Sequence, residues 1–244
     1  MKAMVFAAGL GTRLRPLTDS MPKALVRVAG EPLISRVIRK LVSEGFDDIT
    51  VNVHHFAPML EEYLAGTDFG AAIHISDESE ELLDTGGGIL KAEPFLAGEP
   101  FLVHNVDILS SARLAEFVSG CMKGAMATLL VSYRKTSRYL LFEPGTMRLA
   151  GWTDLRTGEV RSPYPDIDPS RCIMLAFSGI HYISEGIFDA FRAEGLHGKF
   201  PIMDFYVQFC DKYPIYGAQD PSLTLVDVGK SGSVQLAEAY LSSI

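Results

Sequence analysis

Cysteine is scarce in this chain: Cys121, Cys172 and Cys210 stand far apart, odd in number and without CxxC spacing. That pattern excludes a disulfide framework and a zinc ribbon. It leaves reduced, mainly structural thiols, as expected of a cytoplasmic protein. Long apolar runs are also missing. No stretch approaches the roughly 20 residues that span a bilayer. Lys2 precedes only a brief apolar segment that soon meets glycine and arginine, which is not a secretory signal. No membrane partner is expected. Basic charge is in deficit, with 22 Lys and Arg against 30 Asp and Glu and a formal net charge of −8. A general nucleic-acid binder would show a basic surface, so no nucleic-acid partner is expected either. The six histidines form no HxH or HxxxH pair. His54 and His55 are adjacent and would face opposite sides of a strand, so structural or solvent roles are expected of both. Internal repeats, low-complexity segments and coiled-coil heptads are absent.

What is present is a regular alternation of short apolar strands and amphipathic helices over 244 residues, a normal length for one α/β domain. The alternation predicts a mainly parallel sheet covered on both faces. Strands are expected at about 3–8, 49–53, 71–76, 101–103, 126–132, 173–183 and 223–228. Helices are expected at about 34–43, 57–65, 85–93, 112–123, 185–194, 203–212 and from 233 to the end. A hairpin covers 139–154, and 155–171 reads as a loop. No linker divides the chain, so residues 1–244 are expected to form a single domain.

The richest segment is the first. An apolar strand, Ala3 to Ala8, runs into Gly9-Leu10-Gly11-Thr12-Arg13-Leu14-Arg15-Pro16-Leu17-Thr18, and Pro22-Lys23 follows. Glycines let the backbone come close to a ligand, so that its N–H groups can point at phosphate oxygens. Arg13, Arg15 and Lys23 bring three cations to the same place, which suits a polyphosphate. Two familiar phosphate loops do not match. A dinucleotide fingerprint needs a small third residue where Leu14 stands, and Pro16 would disturb its helix. A Walker loop needs glycine five residues before Gly229-Lys230-Ser231, where Thr224 stands. Further on, Asp107 ends a buried strand beside this loop, where it can hold Mg²⁺ or cap the strand. Asp227, between valines, is costly to bury unpaired. Either a metal or a capping role accounts for it.

The segment 9–18 followed by Pro22-Lys23 resembles the GxGTRLxPLT…PK signature of sugar-1-phosphate nucleotidyltransferases. Similarity continues through 84–92, 103–109, 177–183 and 225–229. It is similar to the short bacterial members, which include N-acetylmuramate-1-phosphate uridylyltransferases and mannose-1-phosphate guanylyltransferases. The resemblance implies a Rossmann-like, three-layer α/β/α fold with a mainly parallel mixed sheet, and no C-terminal β-helix. It implies Lys23 and Arg13 as catalytic residues at the phosphates. Nucleotide contacts fall to Ala8, Gly9, Gly11, Thr12, Arg13, Thr85, Gly86, Gly87 and Asn105, with the glycines after Thr85 leaving backbone groups free to read a base. Ser178 and Gly179 match a sugar-pocket segment. Asp107, in Asn105-Val106-Asp107 where the family has NGD, and Asp227 would share Mg²⁺.

The implied reaction joins an NTP to a sugar 1-phosphate and releases pyrophosphate. A phosphate monoester is mostly dianionic at neutral pH and needs no histidine or serine base. Positioning, cations and metal are what two polyanions require. The Thr85-to-Gly88 segment resembles the uridylyltransferase version of the family motif, which implies UTP. GTP with mannose 1-phosphate, CTP with a phosphorylated alcohol, and a catalytically silent nucleotide-sugar sensor are the alternatives. A monomer or small homo-oligomer is expected.

Overall fold

The computed structural model describes residues 1–230 and 232–242. Ser231, the last residue of the Gly-Lys-Ser segment, and the final two residues of the expected C-terminal helix lie outside them. In chain order the strands are β1 (Lys2–Phe6), β2 (Arg27–Val28), β3 (Glu31–Pro32), β4 (Asp48–Val53), β5 (Ala72–Asp77), β6 (Phe101–Asn105), β7 (Ile108–Ser110), β8 (Ala127–Ser132), β9 (Arg138–Phe142), β10 (Leu149–Asp154), β11 (Glu159–Arg161), β12 (Ile173–Ile183), β13 (Ile215–Gln219) and β14 (Leu225–Asp227). The helices are α1 (Leu33–Ser43), α2 (Ala57–Ala65), α3 (Asp84–Lys91), α4 (Glu93–Leu96), α5 (Leu114–Ser119), α6 (Ile187–Ala193), α7 (Ile202–Phe209) and α8 (Ser233–Leu241).

Strand β1 lies inside the sheet with β4 and β6 parallel on either side, and β5 continues beyond β4. On the other flank the long β12 pairs antiparallel with both β6 and β8, and β13 then joins β8 in parallel. The sheet is therefore mixed and mainly parallel. Strands β9, β10 and β11 form an antiparallel extension on the first residues of β12. Alternate residues of β1 face opposite cores: Ala3 and Val5 face one, Met4 the other. Helices α1, α2 and α8 cover the first core. Helices α3, α6 and α7 cover the second, where Phe191 meets Phe205 edge-on at 5.1 Å. Each fully buried aliphatic or aromatic side chain contributes about 1.5–3 kcal/mol relative to exposure, so each helix is held by the face it turns inward.

Three differences from the sequence reading bear on the site. The late apolar strand is short, as β14, and pairs with β7 instead of joining the main sheet. Residues 215–219, not expected as a strand, form the edge strand β13, with only Ile215 buried. Within the expected loop 155–171, β11 extends the hairpin and adds Arg161 to a cavity wall.

Candidate active site

The glycine loop leaves the C-terminal end of β1, the edge at which open α/β sheets place their ligands. The Ala7 and Ala8 N–H groups donate to Asn52 Oδ1 at 2.7 and 3.3 Å. Gly9 faces open space. Gly11 has φ +63°, and a Cβ there would lie 2.8 Å from Thr18 Cγ2 and 3.1 Å from Lys23 Cβ, so only glycine suits the turn. The Thr18 hydroxyl closes it by donating to the Gly11 carbonyl at 2.9 Å. Buried Leu14 anchors the following turn, while Thr12 and Arg13 stay exposed. Arg15 pairs with Asp19 at 3.3 Å on the surface and takes no part in the site.

Pro22 is extended and starts the turn that aims Lys23 inward. Its Nζ bonds Asp107 Oδ2, with both side chains largely buried. Asp107 follows β6, and its carbonyl accepts Val228 N–H at 2.8 Å. The β7–β14 pairing sets Asp227 opposite Ile108, which brings the second carboxylate beside the first. Gly229 shows how close they come. A Cβ there would sit 2.7 Å from Asp227 Oδ1, 2.8 Å from Asp107 Oδ2 and 3.1 Å from Arg13 Nη2. Asp227 also accepts the Gly229 N–H at 2.8 Å. Among the described residues no cluster of three or more His, Cys, Asp or Glu could hold a metal. Two convergent carboxylates nevertheless fit Mg²⁺, which commonly takes one or two protein carboxylates and completes its shell with phosphates and water.

A cavity of about 290 Å³ opens over this edge, lined by Ala8, Gly9, Lys23, Asp107, Asn105 and Thr85 among others. Its wall also holds Asn52, Glu78 and Lys199, none of which the sequence reading singled out. Glu78 is fully buried, and burial raises its carboxyl pKa against the pull of Leu83 N–H and Asn52. Gly86 and Gly87, expected to leave backbone groups free to read a base, spend their N–H groups inside the protein. Both N–H groups donate to the Phe200 carbonyl, at 2.8 and 3.1 Å. A Cβ on Gly86 would overlap the Phe200 ring, and one on Gly87 the Gly198 carbonyl. These glycines let α3 pack against residues 198–200, and Thr85 and Asp84 face the cavity in their place. Thr85 Oγ1 accepts Ile202 N–H at 2.9 Å.

A second cavity, about 420 Å³, shares Arg13 and Asp227 with the carboxylate site. Arg134, Arg138, Arg161 and Lys230 supply its charge, and Tyr139, Trp152 and Phe177 are its aromatic lining. The expected sugar residues Ser178 and Gly179 follow a residue of this cavity's wall, Phe177. Ser178 is buried, and Gly179, at φ +74°, packs against Asn105 and Ile108 where β12 slips register against β8. Phe177, their neighbour, is the residue that lines the cavity. Among the described residues no histidine lines either cavity. Burial lowers His104 to about 4 and His181 to about 3, and each Nδ1 already faces a partner, Asn105 O and Tyr206 Oη.

Comparison with known proteins agrees with this geometry. The nucleotidyl transferase family model matches residues 2–144. An N-acetylmuramate alpha-1-phosphate uridylyltransferase of Caulobacter vibrioides is 31% identical over 98% of this chain and 96% of its own. The chain belongs to the sugar-1-phosphate nucleotidyltransferase family. A second uridylyltransferase of the same description, from Neisseria meningitidis, is 46% identical over 45% of this chain and 48% of its own. Among solved structures, a putative glucose-1-phosphate thymidylyltransferase from Bacillus anthracis superposes with a TM-score of 0.80 at 19% identity. That match covers 100% of this chain and 96% of the other. UDP-glucose pyrophosphorylase bound to UDP-glucose gives 0.78 at 19%, over 100% and 99% of the two chains. At such identities these two show the shared fold.

In this nucleotidyltransferase, Asp107, Asp227 and Arg13 come together around Gly229, with Lys23 joined through Asp107; the sequence reading met Gly229 without giving it a place in the site. The Val-Gly-Lys step after Asp227 was the available signal, since a glycine beside two carboxylates leaves them room to converge. Asn52 and Glu78 carried no such signal, because an isolated Asn on a strand and a Glu within an acidic run read as surface residues.

Proposed function

We propose that this nucleotidyltransferase transfers UMP from UTP to an acidic sugar 1-phosphate, N-acetylmuramate 1-phosphate being the candidate, and releases pyrophosphate. The second cavity is the observation that carries this reading. Its lining has five cations, Arg13, Arg134, Arg138, Arg161 and Lys230, against Asp227, in a chain whose net charge is −8. Arg138 and Arg161 have carboxylate partners, Asp154 at 3.5 Å and Asp204 at 2.7 Å. Among the described residues, Arg13, Arg134 and Lys230 have none within salt-bridge distance. With Asp227 these three leave two positive charges, which a sugar phosphate near −2 would balance, and the exposed Arg138 and Arg161 remain within reach of a carboxylate. Trp152 and Tyr139 offer flat apolar surface for the ring. The name of the full-length relative agrees, because N-acetylmuramate carries a carboxylate. The names of the two uridylyltransferase relatives support UTP as the nucleotide.

In the reaction, an oxygen of the sugar phosphate forms a bond to the α-phosphorus. The bond from that phosphorus to the pyrophosphate oxygen breaks, and its electron pair leaves with pyrophosphate. Lys23 would turn its ammonium from Asp107 toward the α-phosphate as charge develops there. Arg13, next to both carboxylates, would hold phosphate oxygens in line. Mg²⁺ held by Asp107 and Asp227 would neutralise the phosphate oxygens. The test is pyrophosphate release, with and without Mg²⁺, from four NTPs crossed with neutral and acidic sugar 1-phosphates. UTP with N-acetylmuramate 1-phosphate should give the highest kcat/KM. N-acetylglucosamine 1-phosphate, the same ring without the lactyl carboxylate, should be at least about tenfold poorer, and Arg134→Met should narrow that gap. Equal or better use of the neutral sugar would rule the acidic-sugar reading out.

A further inference from the structure

A hydrogen-bond relay runs beneath the nucleotide cavity. Asn52, at the end of β4 and 3% exposed, uses Oδ1 to accept Ala7 and Ala8 N–H, as described above. Its Nδ2 donates to Glu78 Oε1 at 2.7 Å. The other carboxylate oxygen of Glu78, Oε2, accepts Leu83 N–H at 3.0 Å, immediately before α3. Backbone bonds hold Glu78 in turn: its N–H donates to Val53 O at 2.8 Å, and its carbonyl accepts His54 Nδ1 at 2.6 Å. Gly88 completes the fit, since a Cβ there would lie 2.7 Å from Glu78 Oε1 and 3.2 Å from Asn52 Nδ2.

Two separate walls of one cavity are thereby tied through two side chains. One wall is the Ala8-Gly9 backbone, and the other is Asp84-Thr85 at the start of α3. The donor pattern decides the residue types. Position 78 receives two donors, Asn52 Nδ2 and Leu83 N–H, so it must offer two acceptors, as a carboxylate does and a carboxamide does not. Glu78 makes no ion pair among the described residues. A buried carboxylate held only by hydrogen bonds is costly, and an apolar residue could have filled the space more cheaply.

We infer that the buried Asn52–Glu78 pair is a positioning device that fixes the glycine loop and the start of α3 at the spacing a nucleoside triphosphate needs, and so sets nucleotide affinity. The inference rests on the proposed function only in taking this cavity as the nucleotide site. Glu78→Gln places an NH₂ opposite one of the two donors and breaks at least one link. The Asn52→Asp/Glu78→Gln double variant restores every link with the charge moved. The carboxylate at 52 accepts from Ala7 and Ala8 and from the amide at 78, whose carbonyl accepts Leu83 N–H.

The experiment measures NTP binding to the whole protein by titration calorimetry, using whichever of the four NTPs the wild type binds most tightly. It also measures KM for whichever sugar 1-phosphate the wild type turns over fastest. Glu78→Gln should weaken NTP binding by roughly tenfold to a hundredfold and change the sugar-phosphate KM far less. The double variant should recover most of the loss. Unchanged NTP affinity in Glu78→Gln, equal weakening of both substrates, or no recovery in the double variant would each overturn the inference. If Glu78→Gln alone fails to fold, a folded double variant with near-native affinity supports it, and a double variant that also fails to fold overturns it. A wild type that binds no NTP would instead sink the proposed function, so the two failures are distinct.

Discussion

Lys23 is held by its environment, not by its own flexibility. Pro22 sets where the side chain starts, Gly11 leaves room beside its Cβ, and Asp107 accepts its ammonium. A lysine so restrained can act on charge that develops only in the transition state. Lys23→Met should therefore lower kcat on the order of 100-fold while the sugar-phosphate KM changes less. Lys23→Arg should rescue only part, because a guanidinium spreads its charge and has a different reach. Steady-state kinetics of the methionine variant at two ionic strengths decide the matter. Raised KM, strong salt dependence and near-normal kcat together would mean that Lys23 only attracts anions from solution. The signature implied phosphate roles for Lys23 and Arg13 from the sequence alone. The contact with Asp107, 84 residues away, becomes visible only when β1 and β6 lie side by side.

At the scale of elements, α3 shows how the glycines of a sequence motif can serve packing. The glycine run after Thr85 was legible as a helix start, and its flanking Thr85 does face the cavity. What the glycines meet was not legible, because residues 198–200 arrive from far along the chain. Thr85 and Ile202, bonded in the structure, are 117 residues apart. Gly87→Val would drive a β-branched side chain into the Gly198 carbonyl and displace the loop that also carries Lys199. The expected result is a destabilisation of about 1–3 kcal/mol, read as a fall of several degrees in Tm. Weakened nucleotide binding would then follow from the moved wall. A variant with unchanged Tm but lost NTP affinity would restore direct base reading at Gly87.

The whole molecule carries two buried histidines whose cost depends on pH. His104 and His181 are almost fully buried on adjacent strands. Desolvation lowers them to about 4 and about 3 from 6.5. Below pH 6.5 the unfolded chain takes up protons that the folded protein refuses. Stability should therefore fall as pH drops from about 6.5 toward those values, by about 1.4 kcal/mol per pH unit for each histidine. Urea unfolding of wild type and His181→Gln between pH 6 and 4.5 tests this, and the variant should lose roughly half as much over the range. Equal slopes would show that His181 titrates freely when folded. No helix among the described residues is long and apolar enough to cross a membrane.

By itself the sequence determined what is written in local chemistry. The alternation of strands and helices, the glycine loop with its cations, and the two aspartates each depend on residues within a few positions of one another. The propensities and spacings that create them are local. The tertiary structure alone decided what depends on distant segments meeting. It paired β14 with β7 and so set Asp227 beside Asp107. It packed Gly86 and Gly87 against residues 198–200, put Phe177 in a cavity wall, and gathered Arg134, Arg161 and Lys230 around one space. It also joined Asn52 to Glu78 in the wall of the 290 Å³ cavity. The reason is physical: a buried donor must find an acceptor, and a close approach must leave room for its neighbour, wherever in the chain that partner lies.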